Sequence, residues 1–317
     1  MRLWPALVLS TLTAALAADF VERDLTVGAG EWAVSGTLTT PGKGKGPWPA
    51  AVLVHGSGPQ DRDSTVAANK PFRDLAQGLA ARGVAVLRYD KRTFQHRDRL
   101  AAATDMTPQE EVFDDAAEAV ALLRKLPEVN GERVFIIGHS MGGTLAPRLA
   151  TTIPKLGGIV LLAAAARPVA DTVVEQIAYL RTQPENQSPE AQAKIAGIEA
   201  AVAKLKELKQ DDAGFILGAP VAYWRWWARY DPLAEASKLE IPVLVLQGER
   251  DYQVTMTDFD LWKKKLGGKS NVTLKSYADL NHLFVAGRGR SKPAEYLSAG
   301  KVSGKAIEEI AGWIQAR

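Results

Sequence analysis

The chain alternates between short, nearly unbroken apolar runs and longer segments whose apolar residues recur three and four apart. Residues 50–54, 84–89, 133–137, 157–163 and 241–247 are runs of the first kind. Apolar side chains at successive positions are expected of a strand covered on both faces by helices. Residues 31–40 alternate instead, which predicts an antiparallel edge strand, and residues 271–277 read as a further strand. Between the runs, residues 72–82 have helical spacing and Gly83 stops them. Pro108 can open a helix reaching about Leu126, with Pro127 beyond it, and residues 143–150 and 303–315 also read as helices. Strands alternating with helices of this length predict parallel βαβ units, hence an α/β fold with a mostly parallel, doubly wound sheet.

The pattern breaks twice. Residues 168–237 do not alternate with strands: a polar, proline-bearing stretch leads into a segment rich in Ala, Lys and Glu at helical spacing, then into Tyr223-Trp224-Arg225-Trp226-Trp227. This predicts a helical insertion dividing the core into residues 18–167 and 238–317. Trp224, Trp226 and Trp227 have two readings. They pin the insertion to the core, the commoner use of tryptophan, or they line an acyl-binding pocket, since pockets are mainly apolar and aromatic. The second break is at the N-terminus. Met1-Arg2 is a short positive segment, residues 3–16 are largely apolar, and Ala15-Leu16-Ala17 is a small-x-small cleavage site. The apolar stretch is short for a membrane span. Residues 1–17 are therefore expected to be a removable signal peptide and the protein to be exported, without stable membrane insertion afterwards.

The chemistry centres on Gly138-His139-Ser140-Met141-Gly142, which follows an apolar run and opens a helix-like one. Strand, G-x-S-x-G, helix is the context of a nucleophile elbow, a sharp turn that lifts a serine hydroxyl above the sheet. A serine nucleophile of this type needs a base and an acid, in the chain order Ser, Asp or Glu, His. Of four histidines, His55 and His96 precede Ser140, and His139 adjoins it with its ring expected to point away; His282 alone follows at a distance. The acid is expected at the carboxyl end of the strand at 241–247, where Gly248-Glu249-Arg250-Asp251 follows. Asp251 is the choice, with Glu249 the nearest competitor; Asp258 and Asp260 fall in the next helical run and are expected at the surface. Backbone amides of Gly56 and Ser57, in the turn His55-Gly56-Ser57-Gly58-Pro59, and of Met141 are the expected oxyanion donors.

Elbow, acid, histidine and H-G-S-G loop, in this order, resemble the α/β-hydrolase superfamily from about Val34 to the C-terminus. Three stretches sharpen the likeness: His55-Gly56-Ser57-Gly58-Pro59-Gln60-Asp61-Arg62-Asp63, Asn69-Lys70-Pro71-Phe72-Arg73-Asp74 and Arg88-Tyr89-Asp90-Lys91-Arg92. These resemble bacterial serine carboxylesterases related to acyl-peptide hydrolases and serine aminopeptidases. The resemblance implies an α/β-hydrolase fold in which residues 168–237 form a helical cap. It also implies cleavage of short acyl esters through Ser140, Asp251 and His282, with no metal or organic cofactor. An aminopeptidase or acyl-peptide hydrolase would use the same groups, and a silent binding module on this fold would use none of them. Dehalogenases and epoxide hydrolases carry Asp at the elbow, where this chain has Ser140. A lyase such as a hydroxynitrile lyase stays open.

Composition narrows the rest. Of 317 residues 46% are apolar, enough for a sizeable core. The formal charge of +3 loses one unit with Arg2, which gives no electrostatic case for nucleic acid. The chain has no cysteine, which excludes thiol catalysis, thiolate metal sites and disulfides. One basic cluster, Lys91, Arg92, His96, Arg97 and Arg99, is interleaved with Asp90 and Asp98 and is expected to be a solvated, partly paired loop.

Overall fold

The computed structural model describes residues 19–100 and 103–317; the expected signal peptide lies outside them. Eight strands form one sheet: β1 (Phe20–Val27), β2 (Val34–Pro41), β3 (Trp48–Val54), β4 (Ala85–Tyr89), β5 (Val129–His139), β6 (Gly158–Leu162), β7 (Val243–Gly248) and β8 (Val272–Tyr277). Their spatial order is β1-β2-β4-β3-β5-β6-β7-β8. The β1–β2 and β2–β4 pairs are antiparallel, and every pair from β4 onward is parallel. The unbroken apolar runs follow from burial on both faces. Successive residues such as Val134, Phe135, Ile136 and Ile137 enter opposite cores. One core is closed by α1 (Pro71–Ala80) and the C-terminal helix (Gly304–Gln315). The other is closed by α2 (Asp114–Lys125), α3 (Met141–Thr152) and the helix Met256–Leu266.

The expected edge strand at residues 31–40 is corrected in two respects. Its first part, Gly30–Trp32, is a 3-10 turn, entered with Gly30 at φ 67°, and the strand begins at Val34. The true edge is β1, which pairs with β2 along all eight residues. Its exposed polar side chains hide it from a search for apolar runs.

Between β6 and β7 the chain adds α4 (Val169–Arg181), α5 (Pro189–Lys206), a two-residue ladder, α6 (Val221–Ala228) and a short helix, Pro232–Ser237. Ile177, Ile195 and Val202 give this insertion a small core of its own. Tyr223, Trp227 and Tyr230 join it to the main core. Asp258, expected at the surface, is fully buried. Its carboxylate accepts hydrogen bonds from the Ala166 and Arg167 amides and from the Arg167 guanidinium, closing the loop after β6. Asp260 is exposed.

Candidate active site

Ser140 ends β5 and caps α3 with φ 54° and ψ −119°. A non-glycine residue in this region is strained, by about 1–3 kcal/mol, and persists only where its surroundings enforce it. Here the Ser140 amide donates to the Leu162 carbonyl at 2.8 Å. The flanking glycines are obligatory: a Cβ on Gly138 would lie 2.2 Å from the Gly142 carbonyl oxygen, and one on Gly142 2.3 Å from that of Val54. The Ser140 side chain is half-buried, and its hydroxyl has no hydrogen bond to a described residue. Catalytic hydrogen bonds often tighten only when substrate binds.

Asp251 and His282 meet at the carboxyl edge of the sheet. The Nδ1 of His282 lies 2.6 Å from Asp251 Oδ2, and their side chains are 5% and 0% exposed. Asp251 is held by the amides of Gln253 at 2.7 Å and Val254 at 3.1 Å on Oδ1, and by the Gln247 side chain on Oδ2. With Oδ2 accepting from Nδ1–H, the Nε2 of His282 is left as the basic nitrogen. The loop carrying His282 is fixed by Asn281, whose Oδ1 accepts from the Leu283 and Val285 amides. Glu249, the competing acid, is exposed and bonded to Ser276.

His139 points away from the Ser140 hydroxyl and does something the sequence does not suggest. Its Nε2–H donates to the His282 carbonyl at 2.8 Å, and the two rings lie 4.7 Å apart. Burial pushes its imidazole down to about 3, so the ring is neutral. His55 is likewise neutral: burial pushes it down to about 4 while its Nε2–H donates to the Tyr89 carbonyl at 2.6 Å.

The loop after β3 closes the site. A Cβ on Gly56 would lie 3.2 Å from the Ser140 Cβ, so the Gly56–Ser57 peptide sits against the elbow. Met141, the first residue of α3, has no intrahelical partner for its N–H. Farther along this loop Asn69 grips the C-terminal region: its Nδ2 donates to the carbonyls of Tyr296 and Ser298, and its Oδ1 accepts from the Gly300 amide.

The basic cluster at 91–99 is not a solvated loop. Lys91 and Arg92 are buried; Arg92 pairs with Asp115 at 2.5 Å and Lys91 with Glu111 at 2.6 Å. Only Arg97 and Arg99 are exposed as expected. Sequence reasoning missed both pairs because each joins residues about twenty positions apart across separate elements.

All three tryptophans of α6 pack on the main core. Trp227 is buried, and the Trp224 Nε1–H donates to the Ile216 carbonyl. Trp226 also lines an open cavity of about 420 Å³ with Arg148, Arg225, Arg229 and Tyr230.

A strained serine at a strand-to-helix elbow, beside a buried carboxylate–imidazole pair at the carboxyl edge of an eight-stranded sheet, defines an α/β hydrolase. Residues 68–286 match the family model described as "Serine aminopeptidase, S33", and the chain belongs to this family as an esterase-type hydrolase. It is 42% identical over 296 residues to Esterase EstD of Thermotoga maritima, covering 93% of this chain and 68% of that one. Two solved structures share the fold at 16% identity. An esterase of Pyrococcus furiosus has TM-score 0.58, covering 94% of this chain and 92% of that one. Est1E of Butyrivibrio proteoclasticus has TM-score 0.58, covering 93% and 99%.

Proposed function

We propose that this hydrolase is an exported carboxylesterase working through Ser140, His282 and Asp251. The observation that carries the reading is the strained, half-buried Ser140 at the edge where Asp251 orients His282. Ser140 Oγ attacks the acyl carbon while His282 Nε2 takes its proton. The amides of Ser57 and Met141 hold the oxyanion. His282 then protonates the leaving alcohol, and water repeats the sequence on the acyl-enzyme. Asp251 keeps the proton on Nδ1 and stabilises the imidazolium. Likeness to proteins named esterases favours ester substrates.

Ser140→Ala tests the reading. Labelling by a fluorophosphonate should disappear and kcat fall by about 10⁴–10⁶ with the fold intact. A variant that still labels and turns over would place the nucleophile elsewhere. The family's description favours a second reading, an aminopeptidase with the same machinery; an aryl ester assayed beside an aminoacyl anilide separates the two. Export rests on the signal-like residues 1–17. N-terminal sequencing of the secreted or periplasmic protein should read from Ala18, and retention of Met1 would end this part of the proposal.

A further inference from the structure

Apart from the Ser57 amide, the three stretches that carry the resemblance take no direct part in the chemistry above, yet they converge on one charged cluster. The Arg62 guanidinium forks onto Asp90, with Nε–Oδ1 at 3.1 Å and Nη2–Oδ2 at 2.8 Å. Asp63 is shared by Arg88 at 3.0 Å and Lys70 at 2.9 Å. These pairs pin the loop after β3 to β4.

Lys91 reaches farther in. It is 2% exposed, and its ammonium donates to the Gly56 carbonyl at 2.9 Å and the Gly58 carbonyl at 3.0 Å, with Glu111 Oε1 at 2.6 Å. An ammonium has three donors, and these three acceptors use them all. Glu111 is 6% exposed and is carried inward on a π-helical turn, Gln109–Phe113, a local irregularity that recurs at functional sites. Its Oε2 is buried without a hydrogen-bond partner among the described residues. The charge of Glu111 also reaches Tyr223 on α6, whose phenol is pushed up by burial and then by this carboxylate. The Tyr223 hydroxyl in turn donates to the Met141 sulfur at 3.2 Å.

The peptide plane turns this contact into an orientation. In a trans peptide the carbonyl of one residue and the N–H of the next point in opposite directions. Lys91 draws the Gly56 oxygen inward, so the Ser57 N–H is turned outward on the opposite side. The Gly58 carbonyl belongs to a peptide with Pro59, which has no N–H. Of the two peptides that Lys91 holds, only Gly56–Ser57 has an amide to aim. A buried ion pair is a poor device for stability alone, because apolar residues of similar volume serve as well or better.

We propose that Lys91, locked by Glu111, is a positioning residue that sets the Ser57 amide as an oxyanion donor. The inference rests on the esterase reading above. Its test is the double variant K91M/E111L, which removes both charges and leaves neither buried alone. With a p-nitrophenyl ester, KM should stay within threefold and kcat should fall about 10²-fold, the usual effect of losing one oxyanion donor. The inhibition constant of a trifluoromethyl ketone, whose adduct with serine carries the oxyanion, should rise in parallel. A folded double variant with kcat and ketone affinity within threefold of the parent overturns the proposal. So does a loss of kcat with ketone affinity unchanged. If the double variant gives no cooperative melt, E111Q takes its place, keeping an acceptor for Lys91. A smaller loss of kcat matched by the ketone supports the proposal, and an unmatched loss refutes it. Ser140→Ala run alongside separates the two layers: undiminished turnover there defeats the esterase reading, whereas Ser140-dependent turnover with an unaffected double variant defeats only the role of Lys91.

Discussion

Acid should destabilise this protein through two buried histidines. His139 and His55 are buried and neutral, pushed by burial to about 3 and about 4. In the unfolded chain each titrates near 6.5. Above that pH both states are neutral and neither histidine contributes a pH dependence. As pH falls below it, the unfolded state binds protons that the folded state refuses, so stability drops until the folded values are reached. At pH 5 the gap is about 1.5 units per group, or about 2 kcal/mol each at 1.36 kcal/mol per unit, and about 4 kcal/mol together. That is a large part of a typical total of about 5–15 kcal/mol. Asp115, whose carboxyl burial pushes up despite its Arg92 partner, works in the opposite direction and offsets part of the loss. The assay is urea denaturation followed by tryptophan fluorescence, at fixed ionic strength, at pH 7.5, 6 and 5. His139→Asn should lower stability at every pH but roughly halve the difference between pH 7.5 and pH 5, and His55→Gln should do the same. A difference below about 1 kcal/mol, or one that neither substitution changes, would refute the reasoning.

Two further outcomes follow from packing. Trp227→Ala should cost about 3–5 kcal/mol and leave the ranking of ester chain lengths unchanged, because this side chain is buried in the core. Trp226→Ala should also leave that ranking unchanged, because the open cavity it lines with Arg148, Arg225 and Arg229 contains none of Ser140, Asp251 and His282; a changed ranking in the ester panel would place the acyl chain beside Trp226. Asp258→Ala should lower stability by about 1–3 kcal/mol for each amide it strands, those of Ala166 and Arg167, since it removes the buried carboxylate while Arg167 keeps Glu175; a melt shifted by less than a degree would count against this.

The parts of the fold that were legible in the sequence are those whose signal is local. β3, β4, β6 and β7 read as strands because both faces are covered and nearly every position is apolar, Arg88 and Gln247 excepted. The helices that close the sheet announced themselves by spacing and by Pro or Gly at their ends. β1 was not legible, because an edge strand bearing Glu22, Arg23 and Asp24 resembles a solvated segment. Charge was the least legible feature. Asp258, Lys91 and Arg92 sit in polar stretches that read as surface, and each is buried by a partner from another element. The π-helical turn at Glu111 leaves no trace in a hydrophobic pattern, since it shifts one turn of an otherwise ordinary helical segment. For the candidate site, motif and chain order pointed to Ser140, elimination to His282 and a place at a strand end to Asp251, and the fold sets Asp251 against His282. The service of His139 to the His282 carbonyl required the fold.

The grip of Asn69 on Tyr296, Ser298 and Gly300 joins positions more than two hundred residues apart. A nascent chain therefore presents the elbow, the acid and the histidine well before it presents the backbone that Asn69 holds. Synthesis is vectorial, so the loop beside Ser140 acquires this anchor late. Maturation of the hydrolase is thereby tied to the late part of the chain: Asn69→Ala, which frees these backbone groups while keeping the C-terminal helix, is expected to retain Ser140, Asp251 and His282 yet to turn over ester poorly.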